Sequence, residues 1–266
     1  MIDVLASYAG RTVYVTGSSS GIGEAVARTL IEGGADVVGV DLKEPGYQGL
    51  SGFVPVDLGE AASIAAAASA LPAHLDAIFH CAGIATAAAD PLTVLRVNFI
   101  GLRELLELTV DRVPRGGAVA LTASTASRDF ADTVDDVIGL VRTTGFSEAV
   151  AWAEAHEDYV TSRGGYPVSK DAIALFTVDR CFDFGERGVR LNTVAPGLTA
   201  TPILDTVAKN KGAGFTITPP APLGYICTAQ EQANLLIFLN SPWASYVNGL
   251  TIFSDGGALA RRILPD

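Results

Sequence analysis

The chain has 266 residues, 49% of them hydrophobic, and a net charge of −11. With a sequence pI near 4.7 it is a poor match for a nucleic-acid backbone or an anionic membrane surface. Mean hydropathy is positive (+0.35), but the longest Ala-rich run, Ala61 to Ala73, is too short for a membrane span and contains Pro72. Short apolar runs then alternate with helical patterns along the chain. Strands are expected at Thr12–Thr16, Asp36–Val40, Phe53–Val56, Leu75–His80, Ala118–Ala123, Val189–Val194 and Leu250–Phe253. Helices are expected at Ile22–Glu32, Ala61–Ala70, Leu92–Val110, Pro167–Phe184 and Ala229–Asn240. The strand runs lack polar–apolar alternation, as strands buried on both faces should. The pattern predicts an α/β fold, a Rossmann-type doubly wound, seven-stranded parallel sheet with helices on both faces. No linker or repeat divides the chain, so one domain over residues 1–266 is expected.

In such a sheet, ligands bind beyond the carboxyl ends of the strands. The first strand runs into Thr16-Gly17-Ser18-Ser19-Ser20-Gly21-Ile22-Gly23 and then a helix. Glycines there let backbone N–H groups approach a pyrophosphate, and the helix N-terminus adds positive partial charge. A glycine-rich turn alone is also an ordinary strand-to-helix connection. The second strand strengthens the cofactor reading, because it ends at Asp41, 18 residues beyond Gly23, where a carboxylate would meet the adenosine ribose. NAD is therefore the expected cofactor. NADP should be disfavoured, since Asp41 would face its 2′-phosphate and only Lys43 follows as a cation.

Tyr166 and Lys170 are four residues apart after Gly164-Gly165, with Pro167 suited to a helix's first turn, so both lie on one helical face. An ammonium beside the phenol, with the positive charge of oxidised nicotinamide, should lower the tyrosine pKa toward that of a usable base. Taken in order, these motifs resemble the short-chain dehydrogenase/reductase family from about Thr12 to Gly257. The resemblance implies that Asp57 and Leu58 face the adenine and that Cys81-Ala82-Gly83 replaces an Asn-Ala-Gly. It implies that Asn98 holds a water linking Lys170 to solvent and that Ser124 binds the substrate oxygen. Asn192 to Gly197, with Pro196 and Gly197, resembles the nicotinamide-side loop, and in the segment that follows Thr199 could reach the carboxamide and Thr201 the phosphates. The catalytic set is thus Asn98, Ser124, Tyr166 and Lys170. The cofactor set is Gly17, Ser19, Ser20, Gly21, Ile22, Gly23, Asp41, Asp57, Leu58, Cys81, Ala82, Gly83, Tyr166, Lys170, Pro196, Gly197, Thr199 and Thr201.

More narrowly, the chain resembles the bacterial 3α-hydroxysteroid dehydrogenase/carbonyl reductase group and the coniferyl-alcohol dehydrogenases. His80-Cys81-Ala82-Gly83, the long segment before Tyr166, and Ser241-Pro242-Trp243-Ala244-Ser245-Tyr246-Val247 carry that likeness. Cys81 should act as a small apolar filler rather than a nucleophile. Its scattered partners Cys181 and Cys227 have no metal spacing, so no metal site is expected and a reducing, cytoplasmic compartment is. The opening Met-Ile-Asp-Val-Leu-Ala-Ser has no basic n-region and reads as no signal peptide.

Ser124 and Tyr166 are 42 positions apart, far more than a strand-to-helix connection needs. Val134, Val137, Ile138 and Val141 have helical spacing, and a second helix is expected over Ser147–His156. A helical insertion of about 128–163 and a substrate lid of about 199–226, carrying Pro202, Ile203, Leu204, Phe215, Pro219 and Pro220, should flank the mouth beside Tyr166. Arg128, Arg163, Lys209 and Lys211 are the nearby cations and are expected to face solvent. These features favour an uncharged cyclic secondary alcohol, hydroxysteroid- or terpenoid-like, interconverted with its ketone; an aryl primary alcohol is the alternative. A non-catalytic NAD(H)-sensing protein would have lost the catalytic residues, which are all present, and a serine hydrolase would need nucleophile-elbow glycines around Ser124. The insertion emerges beside the helices that many relatives pair into tetramers, so a homodimer is expected, using Trp243, Tyr246 and Phe253, with a tetramer through the inserted helices as the other possibility.

Overall fold

The computed structural model describes residues 3–85, 89–204, 206 and 221–260. Seven parallel strands form the main sheet: β1 (Thr12–Thr16), β2 (Asp36–Asp41), β3 (Gly52–Pro55), β4 (Ala77–His80), β5 (Ala118–Thr122), β6 (Arg190–Pro196) and β9 (Thr251–Ser254). Their order is β3-β2-β1-β4-β5-β6-β9. Two short strands, β7 (Thr199–Ala200) and β8 (Cys227–Thr228), pair separately and tie the two ends of the lid segment together. Val13, Val15, Val37, Phe79 and Ala120 face one side of the sheet and Tyr14, Val38, Ile78, Val119 and Leu121 the other, so both faces are buried.

Helices α1 (Gly21–Glu32) and α9 (Ala229–Asn240) cover the first face, through Val26, Leu30, Ala233 and Leu236. Thr228 and Glu231 start α9 with a reciprocal capping box, which closes two of the helix's free N–H groups. The second face carries α2 (Ala61–Ala70), α3 (Pro91–Leu95), α4 (Gly101–Glu107) and α8 (Gly165–Glu186). The helix expected over Leu92–Val110 is interrupted: Arg96–Ile100 forms one wide π turn between α3 and α4. Such bulges recur at functional positions because the extra residue re-aims side chains. Here it holds Asn98.

The insertion contains three helices, α5 (Val134–Val141), α6 (Gly145–Ala155) and α7 (Glu157–Arg163), where the sequence pattern predicts two. α7 is a seven-residue stretch with one buried residue, Val160, too little apolar periodicity to read. α5 packs along α8. Its buried face is Val137, Leu140 and Val141, while Val134 is exposed and Ile138 half-buried. The stripe predicted from spacing is therefore rotated by the packing against α8, which takes Leu140 inward in place of Val134.

Candidate active site

β1 and β4 are neighbours although four elements separate them in sequence, so the crevice opens between their carboxyl ends. Thr16 stitches it, its Oγ1 accepting from the Cys81 and Ala82 amides at 3.1 Å each and bonding His80 Nδ1. Gly17 has φ +67°, and a Cβ there would come within 2.8 Å of the Ala82 nitrogen. At Gly23 a Cβ would collide with the Gly17 carbonyl, so this residue lets the helix seat on its own turn.

Sixteen of the eighteen expected cofactor residues line one cavity of about 1010 Å3: Gly17, Ser20, Gly21, Ile22, Asp41, Asp57, Leu58, Cys81, Ala82, Gly83, Tyr166, Lys170, Pro196, Gly197, Thr199 and Thr201. Ser19 and Gly23 do not line it. Ser19 instead fixes the turn from behind, its N–H donating to Asp41 Oδ2 at 2.9 Å and its hydroxyl to the Lys43 carbonyl. Tyr47 braces the same turn by donating to the Ser18 carbonyl at 2.9 Å.

Ser124 stands two residues past β5, and its Oγ accepts from the Ala126 amide at 3.2 Å. Tyr166 and Lys170 lie on the first turns of α8. That helix can start where it does because Gly165, with no Cβ, rests against the Pro91 carbonyl. Lys170 Nζ donates to the Thr122 carbonyl at 3.0 Å and sits 5.4 Å from the Tyr166 ring centroid. Burial holds Lys170 down to about 8. Burial also raises Tyr166 above the ordinary phenol range, with Ser124 working in the opposite direction. In the protein alone desolvation thus prevails, and Tyr166 is raised where the sequence reading expects it lowered.

Asn98 is fully buried and its amide is spent on the loop after β4: Oδ1 accepts from Ile84 N at 2.7 Å and Nδ2 donates to Ile84 O at 2.9 Å. A Cβ on Gly83 would lie 3.2 Å from Asn98 Oδ1 and 3.7 Å from Lys170 Nζ, which shows how closely the three pack. Among side-chain contacts, Asn98 therefore fixes the loop that faces Lys170. Cys81 is pushed up to about 12 by burial and His80 down to about 3, so no thiolate–imidazolium pair forms, consistent with Cys81 as filler.

The same cavity is also lined by the apolar residues Ile84, Ala85, Leu198, Pro202, Ile203, Leu204, Leu223 and Leu259. Phe215, Pro219, Pro220, Lys209 and Lys211 lie outside the described residues. Arg163 turns away to the buried Asp171, at 2.7 Å. Arg128 is exposed, as expected, and also lines the cavity's rim. The segment Ser254–Leu259 and Tyr225 also contribute, and sequence reasoning missed them. The former was within reach, since Ser254-Asp255-Gly256 directly follows the last strand, where the strand-end rule applies.

Residues 13–139 match the NAD dependent epimerase/dehydratase family, and residues 141–258 the family described as enoyl-(acyl carrier protein) reductase. The chain is 32% identical over 248 residues to the coniferyl-alcohol dehydrogenase of Pseudomonas sp. strain HR199, covering 93% of this chain and 96% of that one. It belongs to the short-chain dehydrogenase/reductase family. A second member, the 3-alpha-hydroxysteroid dehydrogenase/carbonyl reductase of Comamonas testosteroni, is 31% identical over 255 residues, 92% of this chain and 95% of the other. The crystal structure of the 3-alpha-hydroxysteroid dehydrogenase from Pseudomonas sp. B-0831, a complex with NADH, superposes with a TM-score of 0.78 at 28% identity, over 96% of this chain and 100% of that one. The protein is an oxidoreductase of this family. No helix among the described residues is long and apolar enough to cross a membrane.

Proposed function

We propose that the protein is an NAD-dependent dehydrogenase/reductase that interconverts an apolar cyclic secondary alcohol and its ketone. The observation that carries this reading is one continuous cavity whose lining brings together Asp41 and the glycine turn, Tyr166 and Lys170, and a set of apolar side chains. Its volume is at the top of the range for a single small ligand, roughly 300–1,000 Å3, and so suits a dinucleotide with a substrate beside it. The residues fit a dinucleotide. Gly17 and Gly21 adopt positive φ where a side chain would intrude on Ala82 and Thr201, and Asp41 closes the second strand beside them.

When bound, NAD would accept or supply the hydride. Tyr166 would take the alcohol proton or return it to the ketone oxygen, and Ser124 would donate a hydrogen bond to the charge developing on that oxygen. Lys170, buried and tied to Thr122, would place positive charge beside the phenol. Asn98 would hold the Gly83–Ile84 loop against this group. A panel of cyclic secondary alcohols, each followed by NADH absorbance, tests the reading, and absence of turnover with all of them rejects it. Aryl primary alcohols belong in the same panel, because a relative at 32% identity is named for coniferyl alcohol.

A further inference from the structure

Among the charged groups lining the cavity, Asp255, Glu231 and Lys170 are each held by well-formed bonds to the protein. Asp255 accepts from the Gly257 and Leu259 amides at 2.9 and 2.8 Å. Glu231 accepts from Tyr225 Oη, Thr228 N and Thr228 Oγ1, each at 2.8 Å. Lys170 is buried against Thr122. Arg128 is different. Among the described residues its guanidinium meets one partner, Asp129, through Nε at 3.2 Å, leaving both terminal NH2 groups directed to no protein acceptor.

Its place in the fold is fixed from below. Ser124 caps the turn Thr125–Ser127, Ser127 N donates back to Ser124 O at 2.9 Å, and Arg128 N donates to Thr125 O at 3.3 Å. The short turn that presents the Ser124 hydroxyl to the reacting oxygen therefore also sets where the Arg128 side chain begins, on the rim of the same cavity. The Arg128–Asp129 pair is exposed on both sides, at 37% and 55%, and an exposed pair of neighbouring residues is held only weakly. Asp129 also lies in the field of Arg163, so it keeps a cation when Arg128 turns elsewhere. A planar guanidinium with two free NH2 groups suits a carboxylate, which it can grip through two parallel hydrogen bonds.

We propose that Arg128 is a specificity-determining residue, and that the preferred cyclic alcohol carries a carboxylate on the part of the molecule remote from the reacting hydroxyl. The inference rests on the dehydrogenase reading above and replaces the expectation of an uncharged substrate. The apolar side chains take the ring body, Ser124 and Tyr166 take the hydroxyl, and Arg128 takes the anionic end at the rim.

The test uses the full chain and two matched pairs: a monocyclic hydroxy acid with its methyl ester, and a hydroxysteroid bearing a terminal carboxylate with its methyl ester. For at least one pair, the acid should exceed the ester about tenfold or more in kcat/KM, chiefly through KM, and added salt should erode that preference. Arg128→Gln should abolish the preference, lowering the acid's kcat/KM about tenfold or more relative to the ester's, and Arg128→Glu should turn the enzyme against the acid. A ring carboxylic acid without the hydroxyl should inhibit the wild type competitively and Arg128→Gln about tenfold more weakly. Turnover of the esters with no acid preference in either pair, or a preference that survives in Arg128→Gln, overturns the inference and leaves the dehydrogenase reading intact. No turnover of any of the four, together with none across the neutral alcohol panel, overturns both.

Discussion

Lys170 holds its ammonium 5.4 Å from the centroid of the Tyr166 ring, and both groups are shifted by the same cause. Burial raises the phenol and lowers the amine to about 8, so in the protein alone their titration ranges are driven apart, the amine below the phenol. Alcohol oxidation needs Tyr166 able to accept a proton, so kcat/KM should climb with pH and level off above the apparent pKa of Tyr166. Lys170→Met removes the positive charge that favours the phenolate. The acidic limb of the profile should then move to higher pH by about one unit or more, with turnover falling about 10²-fold or further. An unchanged limb in the variant would show that Lys170 does not act on Tyr166 electrostatically.

Tyr166→Phe keeps the ring in its place at the mouth of α8 and removes the proton carrier. Turnover should drop by at least the ~10²–10⁴-fold that general acid–base catalysis supplies. NADH affinity, read by fluorescence titration, should stay within about threefold of wild type, since the loss falls on the chemical step. A variant keeping more than a tenth of the activity would remove Tyr166 from the mechanism.

Asp41 has two tasks in this structure. One is the ribose site expected from its position, and the other is holding the glycine turn through Ser19 N. Against a 2′-phosphate, like charges about 4 Å apart cost about 4 kcal/mol per unit pair at an effective dielectric near 20. Discounted for solvent, that predicts an NAD over NADP preference of at least about 100-fold in kcat/KM. Asp41→Ala should narrow the preference mainly by weakening NAD, because the Ser19 amide loses its acceptor along with the ribose. Comparable use of both cofactors by the wild type would end the assignment.

The sheet and the chemical centre were legible because each strand ends in a short motif and the motifs follow one another in the order the fold demands. Thr12–Thr16, Ala61–Ala70 and Ala229–Asn240 have the predicted bounds, and the other predicted elements differ at one or both ends. What could not be read depends on partners distant in sequence. Leu-Arg-Glu-Leu-Leu-Glu around Arg103 looks like a helix with Arg103 on its wet side, yet Arg103 is fully buried. The insertion, 30 to 40 residues later, folds over that side. Arg128 is exposed as its sequence suggests, and the folded turn after Ser124 also brings it to the cavity rim, which no spacing shows. The π turn at Asn98 leaves no pattern in composition or spacing.

Arg103 provides a stability test of the insertion's seat. Its guanidinium donates to Leu140 O at 3.1 Å, Thr143 O at 2.9 Å, Thr143 Oγ1 at 2.5 Å and Gly145 O at 2.6 Å, closing the end of α5 onto α4. Arg103→Met would leave these buried acceptors unpaired, at about 2–4 kcal/mol. The melting temperature should fall by roughly 5–15 °C. A fall of a degree or less would mean that apolar packing alone holds α5 and α6 in place.

Assembly follows from the same seat. Val137, Leu140 and Val141 of α5 and Ala149 and Ala153 of α6 are buried in one cluster with Leu102, Leu105 and Leu106 of α4 and Ala172, Ile173 and Phe176 of α8. That cluster spends on the chain itself an apolar surface of α4 and α8 that could otherwise meet a second copy, and an apolar face cannot be covered twice. Around the edge strand β9 the balance is reversed: Phe182 is 71% exposed, Tyr246 fully so, and Trp243 and Leu250 about half, while Phe253 is half-buried. Asn248 reaches across to the Cys181 carbonyl at 3.1 Å, so the loop bearing Tyr246 and Leu250 lies against the end of α8 that bears Phe182. We expect a two-fold homodimer through this region. Light scattering after size exclusion should give about 55 kDa, twice the 27.5 kDa chain. Tyr246→Lys with Phe182→Lys should shift the mass toward one chain, by placing charge at an interface core. A mass near 110 kDa, four chains, would reject the dimer, and deletion of 132–142 would then separate a tetramer built on the insertion from one built without it.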